Sequence, residues 1–250
     1  MVTGAARGIG EAIAKWLIMA GADVTVVDKD EDTLKRVFRT ERCETLFGDL
    51  SQEEDVTGLA DELTRHEPVE LIVNNVGITT RQRFRQIGRS EFNQVLSTNL
   101  EGPWFFTSRL VDAFIERRQR KTDRRPHRRG SILFISSLHD HLVARQPHYS
   151  VSKAGVAQLA RELAAELAEH RIRVNAISPG WIRTANDTTT REQIDKAARL
   201  GPRLPLGMAG VPADVATVAI FLLSDAWAGY ITGQNIAVDG GLSLHSFLDE

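Results

Sequence analysis

Five short β-branched runs, at residues 24–28, 70–74, 131–136, 173–177 and 235–238, alternate with longer stretches whose apolar residues recur every three or four positions. Such runs suit strands of a parallel sheet buried on both faces, and the recurring spacing suits helices that cover it. The helical stretches are 10–19, 53–66, 91–97, 101–118, 149–170 and 213–223. Strand and helix succeed each other throughout, which predicts an α/β fold: a doubly wound parallel sheet with helices on both faces and ligands beyond the carboxyl ends of its strands. A chain of 250 residues can form this as a single domain, 1–250, and no repeat or low-complexity linker divides it.

Composition removes other classes. A formal charge of -2, with 26% charged residues, argues against a domain held to nucleic acid by overall charge. No apolar stretch nears the roughly 18 residues of a membrane helix, so no membrane partner is expected. The lone Cys43 cannot form an intramolecular disulfide, and the start lacks a charged segment followed by an apolar one. A cytoplasmic protein is expected.

Residues 3–10 place Gly4, Gly8 and Gly10 in a loop that leads into a helix opening near Gly8. Glycine permits positive φ and close backbone approach, and the unpaired amides of a helix start favour an anion. The loop can cradle a pyrophosphate, or it can be a plain tight turn. Tyr149 and Lys153 stand four residues apart in a helical stretch, hence on one face. An ammonium about 4 Å from the phenol is worth at most about 4 kcal/mol at an effective dielectric near 20. That would move a phenol of ordinary pKa about 10 toward neutrality and suit it to general acid/base work. The bland alternative is a surface contact.

TGxxxGxG at 3–10, NNxG at 74–77, NxxG at 99–102, serines at 136–137, YxxxK at 149–153, PGxxxT at 179–184, ITG at 231–233 and VDGG at 238–241 follow in order. The set resembles the short-chain dehydrogenase/reductase family from end to end. The resemblance implies a Rossmann-type fold and an NAD(P)-dependent oxidoreductase that interconverts a secondary alcohol and a ketone by hydride transfer. Tyr149 would transfer the proton, Lys153 would tune it and bind the nicotinamide ribose, Ser137 would orient the substrate oxygen, and Asn99 would support a water relay. The family's serine usually stands thirteen residues before the tyrosine, whereas Ser137 stands twelve before and Ser136 thirteen. Ser137 is preferred as the second serine of the run, a one-residue deletion explaining the count. A turn or capping serine is its alternative, and a buried structural asparagine is that of Asn99.

Asp28 lies eighteen residues beyond Gly10, near the spacing of about 20 at which an acidic residue accepts the ribose 2′-hydroxyl. NAD is therefore expected, although Arg7 and Lys29 stand where relatives serve the 2′-phosphate of NADP, and Asp28 could merely cap a helix beginning near Asp30. By resemblance, Gly4, Arg7, Gly8, Ile9 and Gly10 would meet the cofactor phosphates, and Asp49 with Leu50 the adenine. Asn75 and Gly77 would pass close to the cofactor, and Pro179, Gly180, Ile182 and Thr184 would border the nicotinamide.

His139, Asp140, His141 and His148 invite a metal reading, but the resemblance implies the rim of a substrate pocket, with His139 and Trp181 facing the substrate and no metal. A polar rim suits a hydroxylated or anionic substrate, so a sugar or polyol is expected. The run 136–140 is similar to that of bacterial glucose dehydrogenases, while residues 205–212 share features with 3-oxoacyl carrier-protein reductases. The competing readings are such an acyl reductase and, in another class, a nucleotide-binding protein with little turnover.

A mobile lid is expected at 185–206. Residues 116–129 carry eight Lys/Arg against two Asp/Glu, read as a solvated basic insertion at about 117–129. Relatives have several residues ahead of the glycine loop where this chain has Met1 and Val2, so a shortened first strand is expected, or a natural start further upstream. Helices at 101–118 and 155–169 correspond to those through which relatives form tetramers. The stripe Val156, Leu159, Leu163 and Leu167 fits such a homo-oligomer, tetramer or dimer, and fits ordinary core packing equally.

Overall fold

The structure, a computed structural model, describes residues 1–39, 42–65, 69–119, 130–184 and 204–244. Its strands are β1 (Val2–Thr3), β2 (Val24–Asp28), β3 (Cys43–Phe47), β4 (Leu71–Asn74), β5 (Ser131–Ile135), β6 (Arg173–Pro179) and β7 (Asn235–Val238). They form one parallel sheet of order β3-β2-β1-β4-β5-β6-β7. The helices are α1 (Gly8–Met19), α2 (Glu31–Val37), α3 (Glu53–Arg65), α4 (Arg89–Leu96), α5 (Gly102–Gln119), α6 (Pro147–Glu166), α7 (Pro212–Leu223) and the single turn α8 (Asp225–Ala228). The chain winds outward from β1 to β3, returns to β4 and winds outward again. This reversal opens a crevice at the carboxyl ends of β1 and β4.

Alternation along each strand explains the continuous apolar runs. Val27, Ile72 and Ile132 point to a core under α3, α5 and α6, while their neighbours Val26, Val73 and Leu133 point to one under α1 and α7. Both faces of the central strands are covered, so β4 and β5 read as nearly continuous apolar runs.

β1 is short, as expected. Val2 pairs with both Val26 and Val73, and beyond it the Thr3 side chain replaces missing ladder bonds. Its hydroxyl donates to the Val73 carbonyl at 3.3 Å and accepts the Asn75 amide at 3.1 Å.

Several boundaries differ from expectation. α2 is the helix expected to begin near Asp30; it is short and buries only Leu34, and Asp30 rather than Asp28 caps it by accepting the Thr33 amide. α6 starts at Pro147, whose fixed φ suits a first helical turn, and after Glu166 it tightens into a 3₁₀ turn, Leu167–His170. The expected helix at 101–118 is entered through a π turn, Ser97–Glu101, continuous with α4. Val156, Leu159 and Leu167 belong to the core, with Leu163 packed against it, so this stripe is interior rather than an oligomer face. The expected lid lies outside the described residues up to 203, as does the basic insertion from 120 onward. Among the described residues no helix is long and apolar enough to cross a membrane.

Candidate active site

The glycine loop sits in the crevice because β1 delivers it there. Gly4 turns at φ 63°, and its amide donates to Val27 O at 2.8 Å. A Cβ on Gly10 would stand 2.2 Å from Gly4 O, so only glycine lets α1 pack this close to the loop. Asn75 locks the arrangement from β4, its side-chain amide donating to Thr3 O at 3.1 Å and Gly4 O at 2.9 Å. This anchors the loop, which differs from the simple close passage expected of Asn75. No side chain caps the start of α1, and Gly8 and Ile9 line the cleft. A twelve-residue helix with uncapped amides facing a cavity fits a pyrophosphate.

Asp28 ends β2 with its carboxylate turned toward the loop, accepting the amides of Ala6 and Asp30, each at 3.0 Å. It does not cap α2; Asp30 does. Arg7 is held by Asp30 at 2.5 Å and Lys29 by Asp49 at 3.1 Å. Burial works to raise the Asp49 carboxyl, yet bonds from Ser51 and Lys29 hold it below its ordinary value. Leu50 is buried beside it and lines the cleft.

Across the cleft, Pro179 ends β6 and Gly180 packs so tightly that a Cβ would lie 2.7 Å from the Asp239 backbone. Ile182 bridges to Gly210, and the Thr184 methyl faces Gly8, where a Cβ would meet it at 3.4 Å. The segment 179–184 thus closes over the start of α1.

At the far end α6 presents Tyr149 and Lys153 to the turn after β5. The Ser137 hydroxyl bonds Tyr149 and accepts the His139 amide at 3.3 Å. Ser136 is spent elsewhere, its hydroxyl lying 2.9 Å from both Asp140 Oδ2 and Lys153 O. Of the two serines, Ser137 is the one that meets the phenol. Lys153 Nζ donates to Ile135 O at 2.8 Å and stands 5.9 Å from the centre of the Tyr149 ring. Burial pushes its pKa down to about 8, the Asp140 carboxylate partly opposing.

The expected depression of Tyr149 by Lys153 is corrected here. Burial raises the phenol above its ordinary value, the Ser137 bond opposes this, and the Asp140 charge adds to it. The ammonium is too far and too committed to Ile135 to reverse the desolvation.

Asn99 lies in the π turn, fully buried. Its Oδ1 accepts the Ile78 amide at 2.7 Å, and its Nδ2 donates to Ile78 O at 2.9 Å and Ser152 Oγ at 3.0 Å. The side chain is therefore committed to holding the loop after Gly77, beside Lys153. A Cβ on Gly77 would lie 3.1 Å from Lys153 Nζ, so the glycine admits the lysine.

His139 packs edge-on to Tyr149, ring centres 5.0 Å apart, and burial lowers its pKa, favouring the neutral imidazole. It lines the cleft with Trp181, Thr79, Arg81 and Gln146. His148 instead is buried against the Thr80 hydroxyl at 2.5 Å. Among the described residues no three His, Cys, Asp or Glu side chains gather as a metal site. Sequence reasoning did not find Thr3, Asp30, Thr79 or Arg81. Asp30 alone left a signal, as an acidic residue three before a threonine at a helix start.

One cleft of about 1490 Å³ joins the glycine loop, Asp28, Asp49, Ser137, Tyr149 and Lys153. Fold and cleft together define a Rossmann-type oxidoreductase. A family profile described as Enoyl-(Acyl carrier protein) reductase matches residues 4–243. The chain is 34% identical to the 3-oxoacyl-(acyl-carrier-protein) reductase of Chlamydia pneumoniae, over 97% of this chain and 96% of that one. It is 30% identical to the 2-dehydro-3-deoxy-D-gluconate 5-dehydrogenase of Dickeya dadantii, over 96% and 93%. The crystal structure of 3-ketoacyl-(acyl-carrier-protein) reductase from Brucella melitensis, complexed with NADH, superposes with a TM-score of 0.84 at 30% identity, covering 96% of both chains. The chain belongs to the short-chain dehydrogenase/reductase family, a family of NAD(P)-dependent oxidoreductases.

Proposed function

We propose that this protein interconverts a secondary alcohol and a ketone on a polar substrate of the sugar or polyol class, with NAD(H) as the preferred cofactor. The observation that carries the reading is the meeting of Ser137, Tyr149 and Lys153 at one end of the cleft whose other end is the uncapped start of α1. A nicotinamide dinucleotide, when bound, supplies or accepts the hydride.

Gly8, Ile9 and the start of α1 would hold its phosphates, and Asp28 would accept a ribose hydroxyl. The Asp28 carboxylate repels a 2′-phosphate. Arg7 and Lys29, the cations nearest to serving one, are each already paired with a carboxylate. Leu50 would pack on the adenine beside Asp49, and 179–184 would close over the nicotinamide. Tyr149 moves a proton to or from the substrate oxygen, Ser137 donates a hydrogen bond that orients that oxygen, and Lys153 would hold the nicotinamide ribose. Asn99 keeps the wall behind Lys153 in place, and a relay water would bond its main chain, since its side chain is committed. His139, Trp181, Thr79 and Gln146 support a hydroxylated substrate, because they add polar groups to the wall of the cleft that holds Tyr149.

The likeness to the Chlamydia pneumoniae protein favours a second reading, an acyl-thioester reductase. A panel of polyols and sugar acids with NAD, run beside acetoacetyl thioesters with NADH and NADPH, separates the two. Tyr149→Phe should lower kcat about 10²- to 10⁴-fold, the range of positioned proton transfer, while calorimetry shows cofactor affinity unchanged. Unaltered turnover in that variant would sink the reading. A cytoplasmic homo-oligomer belongs to the same proposal, supported by Trp104, Phe105 and Val151 exposed on α5 and α6; light scattering tests the assembly.

A further inference from the structure

We propose that Asp140 is a positioning residue of the reaction: from a dry pocket between β5, β6 and β7 it fixes the Ser136–Ser137 turn and supplies one fixed negative charge behind Tyr149 and Lys153. The proposal rests on the functional reading above.

The carboxylate is buried, its side chain 3% exposed. It gathers donors from two strands, from the residue after a third and from its own turn. Ser136 Oγ, after β5, lies 2.9 Å from Oδ2; Ser178 Oγ, in β6, lies 2.5 Å away; Asn235 Nδ2, in β7, lies 2.8 Å away; and His141 Nδ1 bonds Oδ1. A carboxylate so saturated stays ionised, and these bonds together hold it below its ordinary pKa even though burial opposes them. Bonds to an ionised acceptor are the strong ones.

Geometry makes the pocket the back wall of the site. The Ser136 hydroxyl lies 2.9 Å from both Asp140 Oδ2 and the main-chain carbonyl of Lys153, its one proton serving either acceptor, so the carboxylate sits against the helix that carries both Tyr149 and Lys153. Because Ser136 is pinned there, the next residue, Ser137, is the one turned to the phenol. The titratable groups facing Asp140 are His139 and His141 on its own turn, and Tyr149 and Lys153 on α6; β6 and β7 contribute the neutral Ser178 and Asn235. The charge raises His139, Tyr149 and Lys153 alike. Its service is to keep Lys153 cationic against burial, at the cost of a phenol that ionises less readily.

The signs decide the test. If alcohol oxidation needs Tyr149 unprotonated and Lys153 protonated, the rate is bell-shaped in pH. Asp140→Asn keeps the shape and removes the charge, so both limbs move to lower pH, by about half to one unit. A lesion that only loosens the turn lowers the bell without moving it. Ser178→Ala, which removes one donor and keeps the charge, should leave the bell where it is. Should Asp140→Asn fail to fold, the pair Asp140→Asn with Asn235→Asp keeps the amide–carboxylate bond reversed, and its bell should lie acid-ward of the native one by less. A bell that stays put in whichever variant folds overturns the proposal.

A readout independent of turnover comes from the composition. The chain has two tyrosines, and Tyr230 is fully exposed. In a Tyr230→Phe background the phenolate absorbance near 295 nm reports Tyr149 alone. Adding Asp140→Asn should lower its midpoint, since above the pKa of Lys153 only the direct repulsion from Asp140 remains. An unchanged midpoint overturns the proposal even where no substrate is turned over; a lowered midpoint without any turnover sustains the charge and condemns the functional reading instead.

Discussion

Asp30 serves two masters within one carboxylate: it caps α2 through the Thr33 amide and holds Arg7 at the mouth of the cleft. The Thr33 bonds do most to keep it below its ordinary pKa, with Arg7 adding less. Asp30→Asn keeps an acceptor for the cap and releases the guanidinium. Titration calorimetry should then show the NADP-to-NAD affinity ratio rising about two- to fivefold, the modest scale of an exposed ion pair. An unchanged ratio would mean that Arg7 cannot turn toward a 2′-phosphate, and that Asp28 alone reads the ribose. At this scale the sequence was partly legible. Tyr149, Lys153 and Gly10 follow from spacing and residue type, because a helix face and a crowded turn dictate them locally. Asp140 looked like one of several metal-type residues, since its donors come from Ser178 and Asn235, 38 and 95 residues away. No local pattern announces a partner at that separation.

Among the elements, the join of β6 to the end of α7 depends on one buried cation. Arg173 donates to Leu222 O at 2.6 Å and Leu223 O at 3.1 Å, and meets Asp225 at 3.1 Å, with its side chain 5% exposed. It satisfies carbonyls that the last turn of α7 leaves open. Arg173→Met should cost about 3 kcal/mol, because the Leu222 and Leu223 carbonyls lose a charged donor inside the fold. Urea unfolding measures it, and a cost below about 1 kcal/mol would show that water replaces the guanidinium. Five of the seven strands and most helices were legible because their periodicities are set by burial on fixed faces; the half-exposed β3 was not among those runs. The π entry to α5 and the 3₁₀ exit of α6 were not legible, since each is decided by a neighbour. At Gly102, for example, a Cβ would lie 2.2 Å from Leu50 O, a contact between segments remote in sequence.

Taken whole, the molecule carries a buried ammonium whose burden varies with pH. Lys153 ionises at about 8 in the fold against an ordinary 10.5. Between those values the unfolded chain binds the extra proton, so this residue's contribution to stability is present in full above 10.5 and is lost as pH falls to about 8. The difference in unfolding free energy between the native chain and Lys153→Met should therefore shift in favour of the native chain by about 3 kcal/mol across that window. A difference that stays flat would place the ammonium in contact with water.

The seam between β1 and β4 also has a mechanical meaning. The strand pairing there is short, with Met1 bonded to Leu71 and Val73, Val2 paired with Val73, and Thr3 and Asn75 tied beyond them, whereas β2 and β3 share five pairs. Helices α1 and α7, which share one core, span that line and join the halves where the strands do so least. The cleft lies across the seam, with Asp28 and Asp49 on one side and Tyr149 and Lys153 on the other. Anything rigid that fills it acts as a splint.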